Sequence, residues 1–455
     1  MRHKRSSDKI KVVVELKRTD LRAERAILVG AVLPDNKSEE ESPLCELGRL
    51  AETAGAKVLN SIIQKKQSID PAYYIGKGKA LELASLCSAM DVDVIICDDD
   101  LTPAQVRNLE RIINTKVIDR SELILHIFAT RAKTNQAKLQ VELAQLEYTL
   151  PRLRRMWTHL SRIEGGIGTR GPGEKQIESD RRIVAKKINN LKRKLRESEK
   201  RKVRLVEARK DYFTVSLVGY TNAGKSTLLN ALTGADVFVE DKLFSTLDTK
   251  TSMCKLSNVR QKDGESASGA SCKVLLSDTV GFIRKLPHQL ISSFHATLEE
   301  VRSADLLLHV VDISSPAALE QADAVNVVLN ELGCSDKPTI MVLNKADAIR
   351  DESLSTFFRN KYNNDCILIS ALKGYGLSEL KQRILEHLGK NQVEINLKCG
   401  TENGKLIAYL FENAQIISRE FKDDAAVFHA LMSRKHLAKL YEIGNNNIQI
   451  THLHL

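Results

Sequence analysis

Short apolar runs alternate with helical patterns along residues 26–120. The runs AILVGAVL, AKVLNSIIQKK, VDVIICDDD and TKVIDR are predicted as strands, and ELGRLAETAG and KALELASLC as helices. Apolar strands that alternate with helices are typical of parallel sheets, whose strands are buried on both faces. The pattern predicts a small α/β domain, which we assign to residues 1–135.

From residue 139 the apolar positions recur at alternating steps of four and three, which indicates a coiled-coil seam. The first seam is Leu139, Leu143, Leu146, Leu150, Leu153, Trp157 and Leu160. A second seam is Val184, Ile188, Leu191 and Leu195. Because the glycine-rich segment 165–173 connects them, we predict an antiparallel helical hairpin over 136–210, which Pro151 kinks or interrupts.

The most regular alternation lies in residues 211–390. The runs FTVSLVGY, KVLLSDTVG, ADLLLHVVDI, PTIMVLNKAD and CILISA are predicted as buried strands, with helices such as KSTLLNALTG between them. This order predicts a doubly wound parallel sheet. Residues 391–455 predict a small α+β domain, with strands at KLIAYLFEN and NIQITHLHL and a helix near 425–441.

Positive charge is concentrated in one part of the chain, whose formal net charge is +11. Residues 151–210 hold 20 Lys or Arg against 7 Asp or Glu, a net +13, so the remainder sums to −2. A concentrated basic segment beside nearly neutral domains favours a polyanionic partner, and RNA above a membrane surface. A solvated basic helix surface is the alternative.

Cysteine spacing and hydropathy indicate the cellular environment. The eight cysteines show no C-x-x-C spacing, which favours reduced thiols over a zinc site. No apolar run approaches the roughly 18 residues of a spanning helix, and the basic first residues lack a signal-peptide core. We expect a cytoplasmic monomer without stable membrane insertion, and peripheral membrane association stays open.

The segment GYTNAGKS matches the phosphate-loop pattern G-x-x-x-x-G-K-[ST] between a predicted strand and a predicted helix. In this arrangement backbone N–H groups and the positive end of the helix dipole hold the phosphates. Lys225 is predicted to reach the β- and γ-phosphates, and the Ser226 hydroxyl to bind Mg²⁺. The predicted contacts are Gly219, Tyr220, Thr221, Asn222, Ala223, Gly224, Lys225 and Ser226.

Two later segments predict recognition of the base. The Asp347 carboxylate can accept hydrogen bonds from the N1–H and exocyclic amine of guanine, whereas adenine offers no matching donors. The segment SAL, after the next strand, is predicted to complete the pocket with a backbone N–H. The predicted residues are Asn344, Lys345, Ala346, Asp347, Ser370, Ala371 and Leu372.

Two segments between the phosphate loop and the base motif predict the γ-phosphate and metal contacts. Asp278 ends a strand where it can hold Mg²⁺ through water, and the Gly281 N–H can meet the γ-phosphate. In FSTLD, Thr246 is a candidate second hydroxyl on the metal, with Ser245 and Thr249 as alternatives. The predicted contacts are Phe244, Ser245, Thr246, Leu247, Asp248, Asp278, Thr279, Val280 and Gly281.

Together these motifs resemble the HflX family, within the Obg–HflX group of translation-factor-like GTPases. The resemblance extends over about residues 70–390 through LTPAQVRNLER, KLQVELAQLEY, GGIGTRGPGE and DTVGFIRKLPHQLISSFHATLEE. It differs at Thr249, where the family usually has proline, and in the polar segment 258–272, which is longer than usual.

The resemblance implies a GTPase that binds the large ribosomal subunit and its rRNA and splits stalled or idle ribosomes. It implies Mg²⁺ on Ser226 and Thr246 and a potassium ion at Asn222. Catalytic roles are expected for Lys225, Thr246 and Gly281. In the glycine-rich segment, Arg170 and Lys175 are expected to contact RNA phosphates.

Phe282 follows Gly281, where Ras-like GTPases have a glutamine that orients the attacking water. Phenylalanine cannot orient water, so another side chain, a potassium ion at Asn222 or the ribosome must do so. We therefore expect slow intrinsic hydrolysis that ribosomes stimulate. Packing of Phe282 beneath a switch loop is compatible with this expectation.

Two other functions are consistent with the sequence. One is an ATP-dependent RNA-remodelling activity of the N-terminal domain that GTP regulates, although this region has no second phosphate loop. The other is a guanine-nucleotide-gated ribosome-binding or assembly factor that does not split ribosomes.

Overall fold

In a computed structural model the strands form three separate sheets. The structure describes residues 24–34, 44–156, 172–207, 212–234, 243–244, 249–257, 271–285, 295–349, 352–362, 365–390, 392–422, 425–444 and 449–454. Within these ranges no helix is both long enough and apolar enough to cross a membrane.

The first sheet is parallel, in the order β2-β1-β3-β4, and with its helices forms what we call the N-terminal domain. Its strands are β1 (Arg25–Val32), β2 (Lys57–Lys65), β3 (Val94–Cys97) and β4 (Lys116–Asp119). Its helices are α1 (Cys45–Ala54), α2 (Lys77–Met90), α3 (Pro103–Ile113) and α4 (Arg120–Arg131). Alternate residues of β1 enter different cores, since Ala26 and Leu28 pack on one face and Ile27 and Val29 on the other. The predicted α/β fold is confirmed.

Two long helices follow, α5 (Asn135–Met156) and α6 (Pro172–Glu207). They pack through the predicted seam, whose buried members are Leu143, Leu146, Val184, Ile188, Leu191 and Leu195. Ion pairs Lys187–Glu142 and Lys192–Glu147, of 2.6 and 2.7 Å, flank this seam. Helix α5 continues through Pro151, so Pro151 does not mark a junction between helices. Trp157, Leu160 and the segment 165–171 lie outside the described residues.

A buried carboxylate joins α5 to the N-terminal domain. Asp119, at the end of β4, is fully buried and accepts hydrogen bonds from Tyr148 Oη (2.6 Å) and Arg152 Nη2 (2.8 Å) on α5. It also accepts from the backbone N–H groups of Leu101 and Glu122. Since a buried carboxylate is stable only when its oxygens are satisfied, these contacts fix α5 against β4.

The second sheet has the order β10-β9-β8-β5-β7-β6, and with its helices forms what we call the central domain. Its strands are β5 (Phe213–Gly219), β6 (Lys250–Ser257), β7 (Ser271–Asp278), β8 (Leu306–Asp312), β9 (Thr339–Asn344) and β10 (Cys366–Leu368). Its helices are α7 (Lys225–Thr233), α8 (His295–Ser303), α9 (Ala318–Glu331), α10 (Glu352–Lys361) and α11 (Leu377–Lys390). Only β6 among these strands runs antiparallel to its neighbour, so the predicted doubly wound sheet is confirmed.

The third sheet is antiparallel, in the order β12-β13-β11-β14. Its strands are β11 (Gln392–Gly400), β12 (Ala414–Lys422), β13 (Ala425–Ser433) and β14 (Gln449–His454), and its helices are α12 (Gly404–Asn413) and α13 (Arg434–Gly444). The strand predicted at KLIAYLFEN is wrong, because this segment lies in α12, where Leu406 and Leu410 are buried at helical spacing. The helix predicted near 425–441 begins only at Arg434. Before it, Ala426, Phe428, Ala430 and Met432 are buried at the two-residue period of a strand.

We predict that Glu122→Gln stabilises the protein above neutral pH. Burial, and then the neighbouring Asp119 carboxylate, raise the pKa of Glu122 to about 7 from 4.5. The Glu122 contribution to stability is therefore complete below about pH 4.5 and is lost as pH rises through about 7. At pH 8 the variant should be more stable by about 1–3 kcal/mol, with little difference near pH 4.5.

Calorimetric unfolding of the two proteins from pH 4.5 to 8 measures this difference. The control is Glu82→Gln, whose carboxylate on α2 is half exposed and paired with Lys79. A stability advantage of Glu122→Gln over the parent that shrinks or reverses as pH rises would contradict the expected sign.

Candidate functional site

The phosphate loop lies between the end of β5 and the start of α7. Gly219 has φ 152°, and a Cβ there would lie 2.2 Å from the Val310 carbonyl oxygen. Gly224 has φ 91°, and a Cβ there would lie 2.2 Å from Asn344 Nδ2. Side chains larger than glycine are thus excluded at both positions by the neighbouring strands.

Lys225, the first residue of α7, is buried inside this loop. Its Nζ donates to the carbonyl oxygens of Gly219 (3.1 Å) and Tyr220 (2.7 Å). Burial lowers the pKa of Lys225 to about 8, and the Asp278 carboxylate opposes this shift. The ammonium is thus held at the centre of the loop, where an incoming phosphate would supply negative charge.

Ser226 and Asp278 are brought together beside the loop. The Ser226 hydroxyl donates to Asp278 Oδ2 over 2.6 Å, and both residues are buried. A hydroxyl and a carboxylate are the hard oxygen donors that suit Mg²⁺, which keeps most of its ligands as water and phosphate oxygens. These two residues therefore fit the predicted metal.

The segment after β7 lies directly on the phosphate loop. Thr221 N–H donates to the Phe282 carbonyl (2.8 Å), and Phe282 N–H donates to the Gly219 carbonyl (3.1 Å). Between them, a Cβ on Gly281 would lie 2.8 Å from Thr221 Cα and 3.0 Å from Lys225 Nζ. Thr279 anchors the start of the segment by donating to the Leu217 carbonyl over 2.6 Å.

The predicted base residues also converge. Asn344 Nδ2 donates to the Ala223 carbonyl (2.9 Å), and Asn344 Oδ1 accepts from Ala371 N–H (3.0 Å). The Ser370 hydroxyl donates to Asp347 over 2.5 Å and lowers the pKa of this carboxyl. Asp347 is therefore an ionised acceptor, as hydrogen bonding to two guanine donors requires.

Three further predicted residues border the base site. Lys345, with φ 64°, pairs with Asp312 over 2.7 Å. The Leu372 side chain is 75% exposed. Ala346, between Lys345 and Asp347, lies in a short 3₁₀ turn.

Some predicted residues are not placed. Ser245, Thr246, Leu247, Asp248 and Arg170 lie outside the described residues, and Lys175 is described only as part of the α6 backbone. Thr249, an alternative metal hydroxyl, donates to Glu300 Oε1 over 3.0 Å.

The Phe282 side chain is packed among apolar residues and is not placed to orient water. It is 4% exposed and belongs to an apolar cluster that includes Phe244, Val280 and Ile283 together with side chains of the N-terminal domain. In that cluster the rings of Phe244 and Phe128 meet edge to face, with centroids 4.6 Å apart. Phe282 therefore packs in the contact between the two domains.

Several N-terminal residues that contact the nucleotide loops were not predicted from the sequence. Glu46 accepts a hydrogen bond from the hydroxyl of Tyr220. Asp98 and Asp99 contact Lys285 Nζ, at 2.9 and 2.5 Å. The run CDDD at the end of β3 was the one available signal, since strand ends of parallel sheets commonly carry functional residues.

Family models and related proteins match most of the chain. Models described as GTP-binding GTPase N-terminal and GTP-binding GTPase middle region match residues 41–129 and 131–209, and one described as 50S ribosome-binding GTPase matches 214–345. The chain is 45% identical to GTPase HflX of Caldanaerobacter subterraneus, over 88% of this chain and 89% of that protein. For GTPase HflX of Lacrimispora saccharolytica the identity is 42% over 94% and 97%. For Escherichia coli K12 it is 41% over 89% and 92%.

We predict that Gly281→Ala weakens binding of a triphosphate more than binding of a diphosphate. The added Cβ meets the Thr221 backbone and Lys225 Nζ, and overpacking of this kind costs about 1–3 kcal/mol. The affinity for a non-hydrolysable GTP analogue should fall roughly 5- to 150-fold. GDP makes no γ-phosphate contact, so its affinity should change less.

Equilibrium titration with fluorescent nucleotides measures both affinities. Gly389→Ala is the control, because a Cβ at this position of α11 meets no atom within 4 Å. Equal losses for the two nucleotides would contradict a γ-phosphate contact at Gly281.

Proposed function

Because the chain belongs to the HflX family of GTPases, we propose that it uses GTP to dock on the large ribosomal subunit and to separate stalled or idle ribosomes. The observation that carries this proposal is the match of residues 214–345 to a model described as 50S ribosome-binding GTPase. The basic helix α6, joined to this domain, supports an RNA partner.

For the nucleotide, we propose that Lys225 binds the β- and γ-phosphates while the Gly281 N–H contacts the γ-phosphate. Ser226 and Thr246 would hold Mg²⁺ directly, and Asp278 through water. When bound, the metal neutralises charge on the β- and γ-phosphates. The buried Ser226–Asp278 pair supports this assignment.

We propose that Asp347 provides the selectivity for guanine. The Ser370 hydroxyl supports it by donating a hydrogen bond to its carboxylate. The contact of Asn344 with the Ala223 carbonyl links base recognition to the phosphate loop. Adenine would leave the Asp347 carboxylate without its two donors, which costs far more than a lost apolar contact.

Water orientation in this enzyme is proposed to come from outside the chain. Phe282 is occupied by the interdomain cluster and offers no polar atom to the attacking water. A potassium ion at Asn222, or a group of the ribosome, would then supply what Ras-like enzymes obtain from glutamine. External groups of this kind accelerate GTPases by about 10³- to 10⁵-fold.

RNA docking is proposed for the exposed side of α6 and the glycine-rich segment before it. Arg181, Lys186, Arg193, Lys194 and Arg196 of α6 are exposed. By contrast, Lys187 and Lys192 pair with glutamates of α5. The exposed charges support phosphate contacts, which Arg170 and Lys175 would extend toward the start of the helix.

The proposal predicts that large ribosomal subunits stimulate GTP hydrolysis. Steady-state phosphate release is measured with GTP and with ATP, each with and without subunits. We expect slow hydrolysis alone, at least about 10³-fold stimulation, and no ATP turnover. Lys225→Ala should remove GTP turnover, because the phosphates lose their buried ammonium.

Splitting itself is measured by light scattering of intact ribosomes mixed with GTP-loaded protein. Bound but intact ribosomes would favour an assembly or silencing factor instead. ATP turnover that survives Lys225→Ala would favour RNA remodelling by the N-terminal domain.

A second prediction concerns salt dependence. Each lost phosphate contact lowers the slope of log K against log salt by about 0.7–0.9. The double substitution Lys186→Ala with Arg193→Ala should therefore lower the slope for large-subunit binding by about 1.4–1.8. Arg359→Ala, an exposed charge on α10, is the control and should leave the slope unchanged. An unchanged slope in the double variant would place the RNA contacts elsewhere.

A further inference from the structure

Four residues form a closed ring of hydrogen bonds between the N-terminal domain and the nucleotide loops. Arg120 Nη2 donates to one oxygen of Glu46, and the Tyr220 hydroxyl donates to the other. Arg284 N–H donates to Tyr220 Oη over 2.8 Å, and the Arg284 carbonyl accepts from Arg120 Nη2 over 3.2 Å. The ring therefore holds both backbone groups of Arg284.

The ring is buried and charged. Arg120 is 3% exposed and Tyr220 is 4% exposed. Burial and the Glu46 carboxylate raise the pKa of Tyr220, so its hydroxyl remains a donor. Because removing one member leaves a buried charge or dipole unsatisfied, the contacts are expected to form and break together.

A second contact reinforces the same segment. Lys285 Nζ lies 2.9 Å from Asp98 Oδ2, and Asp98 Oδ1 accepts from Arg120 Nη1 over 2.7 Å. The backbone of Lys285 has φ 52°, a left-handed conformation that is rare outside glycine. The carboxylates at the end of β3 thus hold the residue after Arg284 as well.

We propose that Arg120 and Glu46 are positioning residues of the GTPase: through Tyr220 and Arg284 they hold the phosphate loop and residues 281–285 in the arrangement that receives a γ-phosphate. The inference depends on GTP binding, which family membership shows, and not on the proposed action on ribosomes.

The direction of the coupling follows from Gly281. With the ring closed, a Cβ on this glycine would lie 2.8 Å from Thr221 Cα and 3.0 Å from Lys225 Nζ, so the residue proposed to contact the γ-phosphate is held next to the ammonium proposed to bind it. GTP gains from this arrangement and GDP does not. Ring closure therefore favours GTP over GDP, and by linkage GTP favours closure of the domain contact.

Tyr220→Phe tests the ring, since it removes only the hydroxyl that joins Glu46 to Arg284. Tyr148→Phe is the matched control, because the Tyr148 hydroxyl also donates to a buried carboxylate, that of Asp119, but this hydrogen bond is not part of the ring. The affinities for GDP and for a non-hydrolysable GTP analogue are measured without ribosomes. The analogue-to-GDP preference should fall about 5- to 50-fold in Tyr220→Phe and stay at the parental value in Tyr148→Phe.

Amide hydrogen exchange provides the readout that a purely structural role would not give. In the parent, the analogue should slow exchange in residues 281–285 and 44–50 more than GDP does. In Tyr220→Phe this nucleotide-dependent difference should disappear from 44–50, which lies in the N-terminal domain.

Glu46→Gln is the second variant, because it weakens the ring from outside the nucleotide domain and remains informative if Tyr220→Phe misfolds. An analogue-to-GDP preference that is unchanged or raised in Glu46→Gln would overturn the proposal. Nucleotide-dependent protection of 44–50 that survives in this variant would overturn it too. If the nucleotide preference and the exchange pattern change as expected but ribosomes do not stimulate hydrolysis, the proposed function on ribosomes is refuted and the inference about Arg120 and Glu46 is not.

Discussion

The close packing of neighbouring strands around two glycines of the phosphate loop is the constraint on which the rest of the site depends. Gly219 passes the Val310 carbonyl and Gly224 passes Asn344 at distances that exclude a Cβ. This packing leaves room for Lys225 inside the loop and brings β8 and β9 to its side. The residues predicted to bind the base are consequently fixed relative to the phosphate loop by the sheet itself.

A second level of order comes from the N-terminal domain. Isolated buried charges are strongly unfavourable, so the guanidinium of Arg120 is stable only with the carboxylates around it. Its partners come from both domains, including the carbonyl of Arg284. The apolar cluster around Phe282 and Phe244 adds buried contact area between the two domains, but apolar contacts are not directional. The hydrogen bonds specify one arrangement of the two domains.

Much of this could be predicted from the sequence, because the motifs combine local chemistry with local geometry. The phosphate loop requires glycines between a strand and a helix, and the segment GYTNAGKS has its glycines between a predicted strand and a predicted helix. By contrast, Glu46 and Arg120 contact Tyr220 and Arg284 only through the tertiary fold, and no local pattern encodes such pairs.

Two C-terminal segments, 405–413 and 425–433, have secondary structure other than that predicted, for a different physical reason. The run KLIAYLFEN is so apolar that its strand-like composition obscured the spacing of Leu406 and Leu410, which both enter the core from one helical face. In β13, the small residues Ala426 and Ala430 hid a two-residue period. Periodicity was the better guide than composition in both segments.

Asp119 and Arg120 are adjacent in the chain but face different parts of the protein. Asp119 holds Tyr148 and Arg152 of α5, while Arg120 holds the backbone beside the nucleotide loops. Helix α6, packed on α5, has 36 residues and is therefore about 54 Å long. If a helix of that length rotates about one end, its other end moves by about 1 Å for each degree. Rotations of a few degrees where Asp119 and Arg120 meet the rest of the protein would therefore displace the far end of α6 by several ångströms.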